Sequence, residues 1–175
     1  MWNSTKEKEQ GLLAMTLLNH KAMLKEFYCT EEEMAKLAQT LANFLPKSAF
    51  LALDGDLGTG KTTFAQGLIK ALGVEEPVIS PTFNLLKTYT GLKTVHHLDL
   101  YRLDHEEEVL DLGWWELLDD PAIVLVEWQN KFPDLKPQEH LQLLIKYHEQ
   151  GRVLQFSAQG EIYEKVLEEL IKCVS

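Results

Sequence analysis

The chain has 175 residues, 45% of them hydrophobic and 25% charged, the length and balance of one globular domain. A formal net charge of −10, with no two Lys or Arg adjacent, argues against a primary RNA or DNA binder. The longest apolar runs, 49–53 and 122–126, fall far short of the ~20 residues that cross a bilayer, so no membrane role is expected.

Residues 1–26 have helical character but no clear apolar stripe and read as an extension outside the fold, with Met23 offering an alternative start. Lys6, Glu7, Lys8 and Glu9 precede only a weak apolar stretch with no clear cleavage site, unlike a secretory signal. Residues 27–175 read as a single domain. Thr30-Glu31-Glu32-Glu33 is a capping box, because a threonine hydroxyl at the cap and a glutamate three residues on satisfy each other's backbone N–H groups. It opens a helix through about residue 45 with Met34, Leu37, Ala38, Leu41 and Leu45 on one face, ended by Pro46. Residues 50–54 form a short apolar strand, followed by a glycine loop and a helix over 61–72 closed by Gly73. Strands are expected over 85–89 and 95–99 around a Gly91 turn. His96 and His97 read as alternating in exposure, one of them at the strand surface. A helix over 105–118, broken at Gly113, carries Trp114 and Trp115 as core and interface residues.

Residues 123–126 make a second buried strand, and 141–147 and 152–156 a C-terminal hairpin around Gln150-Gly151. A final amphipathic helix is lined by Ile162, Val166, Leu170 and Val174, with Leu167 and Ile171. Helices alternating with buried strands, then hairpins, indicate an α/β layered fold with a mixed sheet. Cys29 and Cys173 lie near opposite ends and form neither a disulfide framework nor a metal motif; they read as idle thiols in a reducing cytosol.

The strongest chemical signal is Gly55-Asp56-Leu57-Gly58-Thr59-Gly60-Lys61-Thr62, a G-x-x-x-x-G-K-[ST] loop placed after a strand and before a helix. Glycines let several backbone N–H groups converge on one anion, and the helix N-terminus adds partial positive charge. Lys61 then reaches the β and γ phosphates and the Thr62 hydroxyl binds Mg²⁺, so a nucleoside triphosphate with magnesium is the expected ligand. Such a site needs an acid for the metal shell or for orienting water. Glu127 and Asp99 each end an apolar strand, where ligands of open α/β sheets sit. The alternative for each is structural: capping a helix or pairing with a lysine. Trp128 lies against this site or a partner, or else fills core. Of the 17 Lys and Arg, only Arg102 and Arg152 are arginine. That is thin for a metabolite kinase, which gathers several arginines around the transferred phosphoryl group. No N-K-x-D guanine signature is present, since Asn130-Lys131-Phe132-Pro133-Asp134 carries one residue too many. No zinc set of His and Cys spacing is present.

Four motifs in order carry a more specific resemblance, over about residues 28–158: the loop through Thr63, Ser80-Pro81-Thr82-Phe83, His97-Leu98-Asp99-Leu100-Tyr101-Arg102-Leu103, and Val126-Glu127-Trp128. Together they resemble the TsaE (YjeE) family of bacterial P-loop ATPases. The resemblance implies a P-loop three-layer fold and a cytoplasmic protein working in formation of threonylcarbamoyladenosine at position 37 of tRNAs that read codons starting with A. It implies action with TsaB and TsaD, weak Mg²⁺-dependent ATPase activity, and contact with tRNA only through that complex. By the same analogy, the loop from Gly55 to Thr63 and Lys61 hold the phosphates, and Thr62 with Glu127 serves Mg²⁺. Asp99 helps through water, and Ser80, Pro81 and Thr82 form a switch-like loop. Thr30 and Glu32 lie on the base side, and Arg152 in the hairpin that approaches the nucleotide. Tyr101, Arg102 and Trp128 are placed at the switch and partner surface. The family commonly has Pro after the Glu-Trp pair. Here Gln129-Asn130 follows, which bears on how the next loop positions water.

Overall fold

The structure, a computed structural model, describes residues 22–174. The expected helical stretch before residue 22 lies outside the described residues. Among the described residues seven strands form one mixed sheet, β1 (Met23–Cys29), β2 (Ala49–Asp54), β3 (Leu86–Tyr89), β4 (Val95–Asp99), β5 (Ile123–Glu127), β6 (His140–His148) and β7 (Gly151–Gln159), in the order β1-β7-β6-β2-β5-β4-β3. The central strands β4, β5, β2 and β6 run parallel, and the antiparallel β6–β7 hairpin turns at Glu149-Gln150. The expected mixed sheet with a C-terminal hairpin is therefore present.

Parallel strands need cover on both faces. One face is covered by α1 (Glu31–Ala42), α2 (Lys61–Ala71) and α5 (Glu161–Val174), which share a core with Leu51, Leu53, Leu125 and Ile145. The other face carries α3 (Glu106–Leu110) and α4 (Trp114–Asp119), packed with Phe50, Ala52, Leu98, Val124 and Val126. This is the three-layer arrangement expected. The capping box at Thr30 is formed in full: its hydroxyl accepts the Glu33 N–H at 3.2 Å, and the Glu33 carboxylate accepts the Thr30 N–H at 2.8 Å. The helix then buries Met34, Leu37, Ala38 and Leu41, as the apolar spacing requires.

Three readings are corrected. Residues 23–26 are not helical and do not lie outside the fold. They begin edge strand β1, which pairs antiparallel with β7 from Met23↔Ala158 to Cys29↔Arg152. The apolar stripe of α5 holds at Val166, Leu167 and Leu170 but not at its two ends. Tyr163, Val166, Leu167 and Leu170 are buried, while Ile162 and Val174 are 53% and 41% exposed. Tyr163 wins the inward position because its hydroxyl accepts the N–H of Phe50 at 2.8 Å as its ring packs. Neither His96 nor His97 is at the surface, because β4 is an inner strand covered on both faces. Of the paired tryptophans, Trp114 is core and Trp115 is 58% exposed.

Candidate nucleotide site

The loop between β2 and α2 sits over the C-terminal ends of β2, β4 and β5. The loop glycines are needed sterically. Gly60 caps α2 in the left-handed region (φ 107°), where any Cβ would also press on the Met34 methyl. A Cβ at Gly55 would collide with the Ile145 carbonyl of β6. The hairpin secures this loop from the side. The Tyr147 hydroxyl donates to the Leu57 carbonyl at 2.9 Å, and Arg152 Nε donates to the Thr59 carbonyl at 2.8 Å.

A cavity of about 290 Å³ opens at the loop, lined by Leu57, Gly58, Gly60, Lys61, Thr62, Thr63, Thr82, Asp99, Tyr101, Glu127 and Trp128. Eight of these are among the residues singled out from the loop and strand ends, and Thr82, Tyr101 and Trp128 complete the lining. Lys61 Nζ donates to the carbonyls of Gly55 and Asp56 at 2.8 and 2.9 Å and lies 4.0 Å from the Trp128 ring centroid. Burial pushes the Lys61 ammonium below the ordinary lysine value, against the pull of Glu127, Asp99, Asp54 and Asp56.

Asp99 and Glu127 are register partners on adjacent parallel strands, so both carboxylates emerge on the α2 face. Glu127 Oε2 accepts the Thr62 hydroxyl at 3.1 Å, and Oε1 accepts the His97 Nε2–H at 2.9 Å. Asp99 accepts the Thr82 hydroxyl on one oxygen and the Tyr101 N–H, at 3.0 Å, on the other. Ser80 adds a 2.6 Å contact to Thr82. The segment after the loop helix is thereby tied to a carboxylate of the site.

A hydroxyl and a carboxylate side by side are hard oxygen donors that fit Mg²⁺. Among the described residues no cluster of three His, Cys, Asp or Glu could cage a metal. Mg²⁺ seldom uses such a cage, taking one or two protein oxygens beside phosphates and water. The donor set thus fits the cation implied by the loop.

Trp128 follows Glu127 in the left-handed region (φ 65°), a conformation costing a non-glycine residue roughly 1–2 kcal/mol. Its N–H donates to the Leu53 carbonyl at 2.9 Å, and its ring meets Tyr101 at 5.0 Å between centroids. The turn brings the indole over Lys61, so Trp128 belongs to the site wall. Gln129 and Asn130 hold the next turn. The buried Gln129 amide donates to the Phe132 carbonyl at 2.8 Å, a bond no proline side chain supplies, and the Asn130 N–H donates to Asp54 at 2.9 Å.

The remaining residues fall elsewhere. Thr30 and Arg152 line a second cavity of about 210 Å³ with Cys29, Glu33 and Gly151, joined to the phosphate loop through the Arg152–Thr59 bond. Glu32 lines neither cavity and pairs with Lys36 at the surface, whereas Glu31 receives Arg152 at 2.6 Å. Arg102 turns outward over the exposed Phe83 ring, 5.5 Å away. Neither arginine lines the loop cavity. Sequence reasoning missed His97 and Tyr147. The period of two along β4 was the available signal for His97, since it places His97 on the same face as Asp99.

Comparisons with known proteins agree with this geometry. A family model described as "Threonylcarbamoyl adenosine biosynthesis protein TsaE" matches residues 28–154. The chain is 40% identical over 141 residues to the tRNA threonylcarbamoyladenosine biosynthesis protein TsaE of Bacillus subtilis, covering 79% of this chain and 88% of that protein. It is 41% identical over 145 residues to the protein of the same name from a Nostoc species, covering 80% and 85%. Among solved structures, the crystal structure of Bacillus subtilis YdiB superposes with a TM-score of 0.77 at 32% identity, covering 90% of this chain and all of that one. On the family match and on identities of this size, the chain belongs to the TsaE family.

Proposed function

We propose that this chain is a Mg²⁺-dependent ATPase serving threonylcarbamoyladenosine formation at position 37 of tRNAs that read codons starting with A, in the cytoplasm and together with TsaB and TsaD counterparts. The observation that carries the reading is the Thr62–Glu127 pair, one partner at the start of the loop helix and the other at the end of β5, facing the same cavity as Lys61. The phosphate loop binds the triphosphate through its N–H groups and the Lys61 ammonium. Thr62 and Glu127 would hold Mg²⁺, whose charge would offset that of the phosphates. Asp99 orients water at the same mouth, and its bond to Thr82 links nucleotide state to the Ser80-Pro81-Thr82 segment. Tyr101, Arg102 and Phe83, exposed beside that mouth, present the change to a partner. An arginine-free cavity weighs against transfer to a metabolite. No helix among the described residues is long and apolar enough to cross a membrane.

The test is an ATPase assay of the pure protein alone and with its TsaB and TsaD counterparts, on wild type and Glu127→Ala. Slow turnover raised by the partners, and lost in Glu127→Ala while part of the nucleotide binding survives, is the expected result. Wild-type turnover in the variant excludes the metal role of Glu127. Rapid phosphoryl transfer to a small metabolite without partners excludes the ATPase reading.

A further inference from the structure

Glu127 is held at both oxygens, and the holder of Oε1 has so far been given no part in the chemistry. That holder, His97, is fully buried and stands two residues before Asp99 on β4, on the face that looks toward α2. Facing a carboxylate oxygen, Nε2 is the ring nitrogen that donates. Nδ1 is buried and has no hydrogen-bond partner among the described residues. A ring retained for packing alone would leave no such orphan if replaced by hydrocarbon of similar size. The Nε2–H contact is what the ring supplies in exchange.

Glu127 also has a competing attraction. Among the carboxylates around Lys61, it is the one that acts most strongly on that ammonium. A glutamate released from His97 is free to turn toward Lys61, which takes a donor from the phosphates and a carboxylate from Thr62.

We infer that His97 is a positioning residue: its Nε2–H fixes the Glu127 carboxylate so that Oε2 faces Thr62, and it thereby sets the affinity of the nucleotide site for its divalent cation. This rests on the reading that Glu127 serves that cation. Outer partners of ligating groups are general determinants of metal affinity, with losses of about 10- to 100-fold on removal.

The experiment measures ATP binding calorimetrically in EDTA and across a Mg²⁺ titration for wild type, His97→Leu, His97→Asn, His97→Gln and Glu127→Gln, with melting in EDTA as the check on folding. His97→Leu and His97→Asn should need about 10-fold more Mg²⁺ or beyond for the same gain over their own affinity in EDTA. His97→Gln carries an amide N–H with the reach of Nε2 and should return the midpoint to within about 3-fold of wild type. A folded His97→Leu with the wild-type midpoint overturns the inference. If His97→Leu does not fold, the Asn and Gln variants, alike in polarity and different in reach, decide it: equal midpoints overturn the proposal. A Glu127→Gln midpoint equal to wild type overturns the cation reading of Glu127 itself. A Glu127→Gln shift without any His97 shift overturns only the role of His97.

Discussion

Lys61 shows what the site asks of a single side chain. Its ammonium is taken out of water and returned only part of its solvation by two carbonyls, the Trp128 ring and nearby carboxylates. Charge-assisted bonds to phosphate are individually strong, so Lys61→Met should lower ATP affinity by about 10- to 100-fold, read by calorimetry. The same burial has an opposite effect on the nucleotide-free fold. Because the folded state holds the ammonium pKa below its unfolded value, the folded state binds protons less well between the two values. The resulting destabilisation is complete below the folded pKa and is relieved as pH rises through it. Lys61→Met should therefore unfold at higher denaturant than wild type near neutral pH, with the gap narrowing toward the alkaline range. A gap that widens with pH contradicts this account. Arg102, the other cation tied to the site by motif, meets only the exposed Phe83 ring among the described residues.

At the scale of elements, the site is made by a helix start and a hairpin acting on one loop. Thr30 starts α1, and Thr30→Ala should cost about 1 kcal/mol of stability in denaturant unfolding. The Thr30 N–H, and after it the hydroxyl, hold the Glu33 carboxyl below the ordinary glutamate value. That contribution is complete above the unfolded glutamate pKa and drains away as pH falls through the lower folded value; since the alanine keeps the N–H and the hydroxyl's bond from the Glu33 N–H does not titrate, the gap between wild type and variant should narrow only in part in acid. Tyr147 acts at a distance from the phosphates by holding the Leu57 carbonyl. Tyr147→Phe removes one hydrogen bond worth about 1 kcal/mol, and a looser loop should weaken ATP binding by about 3- to 10-fold with little change in melting. A large loss of stability with unchanged affinity would assign Tyr147 to packing. Most elements were legible because capping, glycine and periodicity act over a few residues of chain. Strand β1 was not, since Leu24 and Tyr28 are apolar on its exposed face and mask the period of two. The α5 stripe was right at Val166, Leu167 and Leu170 and missed at its start, because Tyr163 counts as apolar or polar according to what its hydroxyl meets.

At the scale of the molecule, a net charge of −10 surrounds a site built for a polyanion. Local N–H groups and one lysine overcome that field for a small phosphate ligand held within the cavity. A nucleic acid spans far more of the surface and meets the repulsion in full. The pure protein should therefore leave tRNA unshifted in a native gel at about 0.15 M salt, with retention only when the partner proteins are added. Direct binding whose affinity falls steeply with salt would reveal a basic surface formed by folding.

The sequence by itself determined the phosphate loop, the helix that opens from it, the two acidic strand ends and the family, because each is written in contiguous residues whose local geometry suffices. Tertiary structure decided what those groups do together. Thr62 and Glu127 are 65 residues apart, His97 and Glu127 are 30 apart, and Arg152 reaches Thr59 across 93. Their contacts exist because β4, β5, β2 and the hairpin lie side by side in one register. A slip of one residue would turn Glu127 and His97 to the opposite face, so the register of the sheet, which no local pattern states, converts the loop into a site with a held carboxylate.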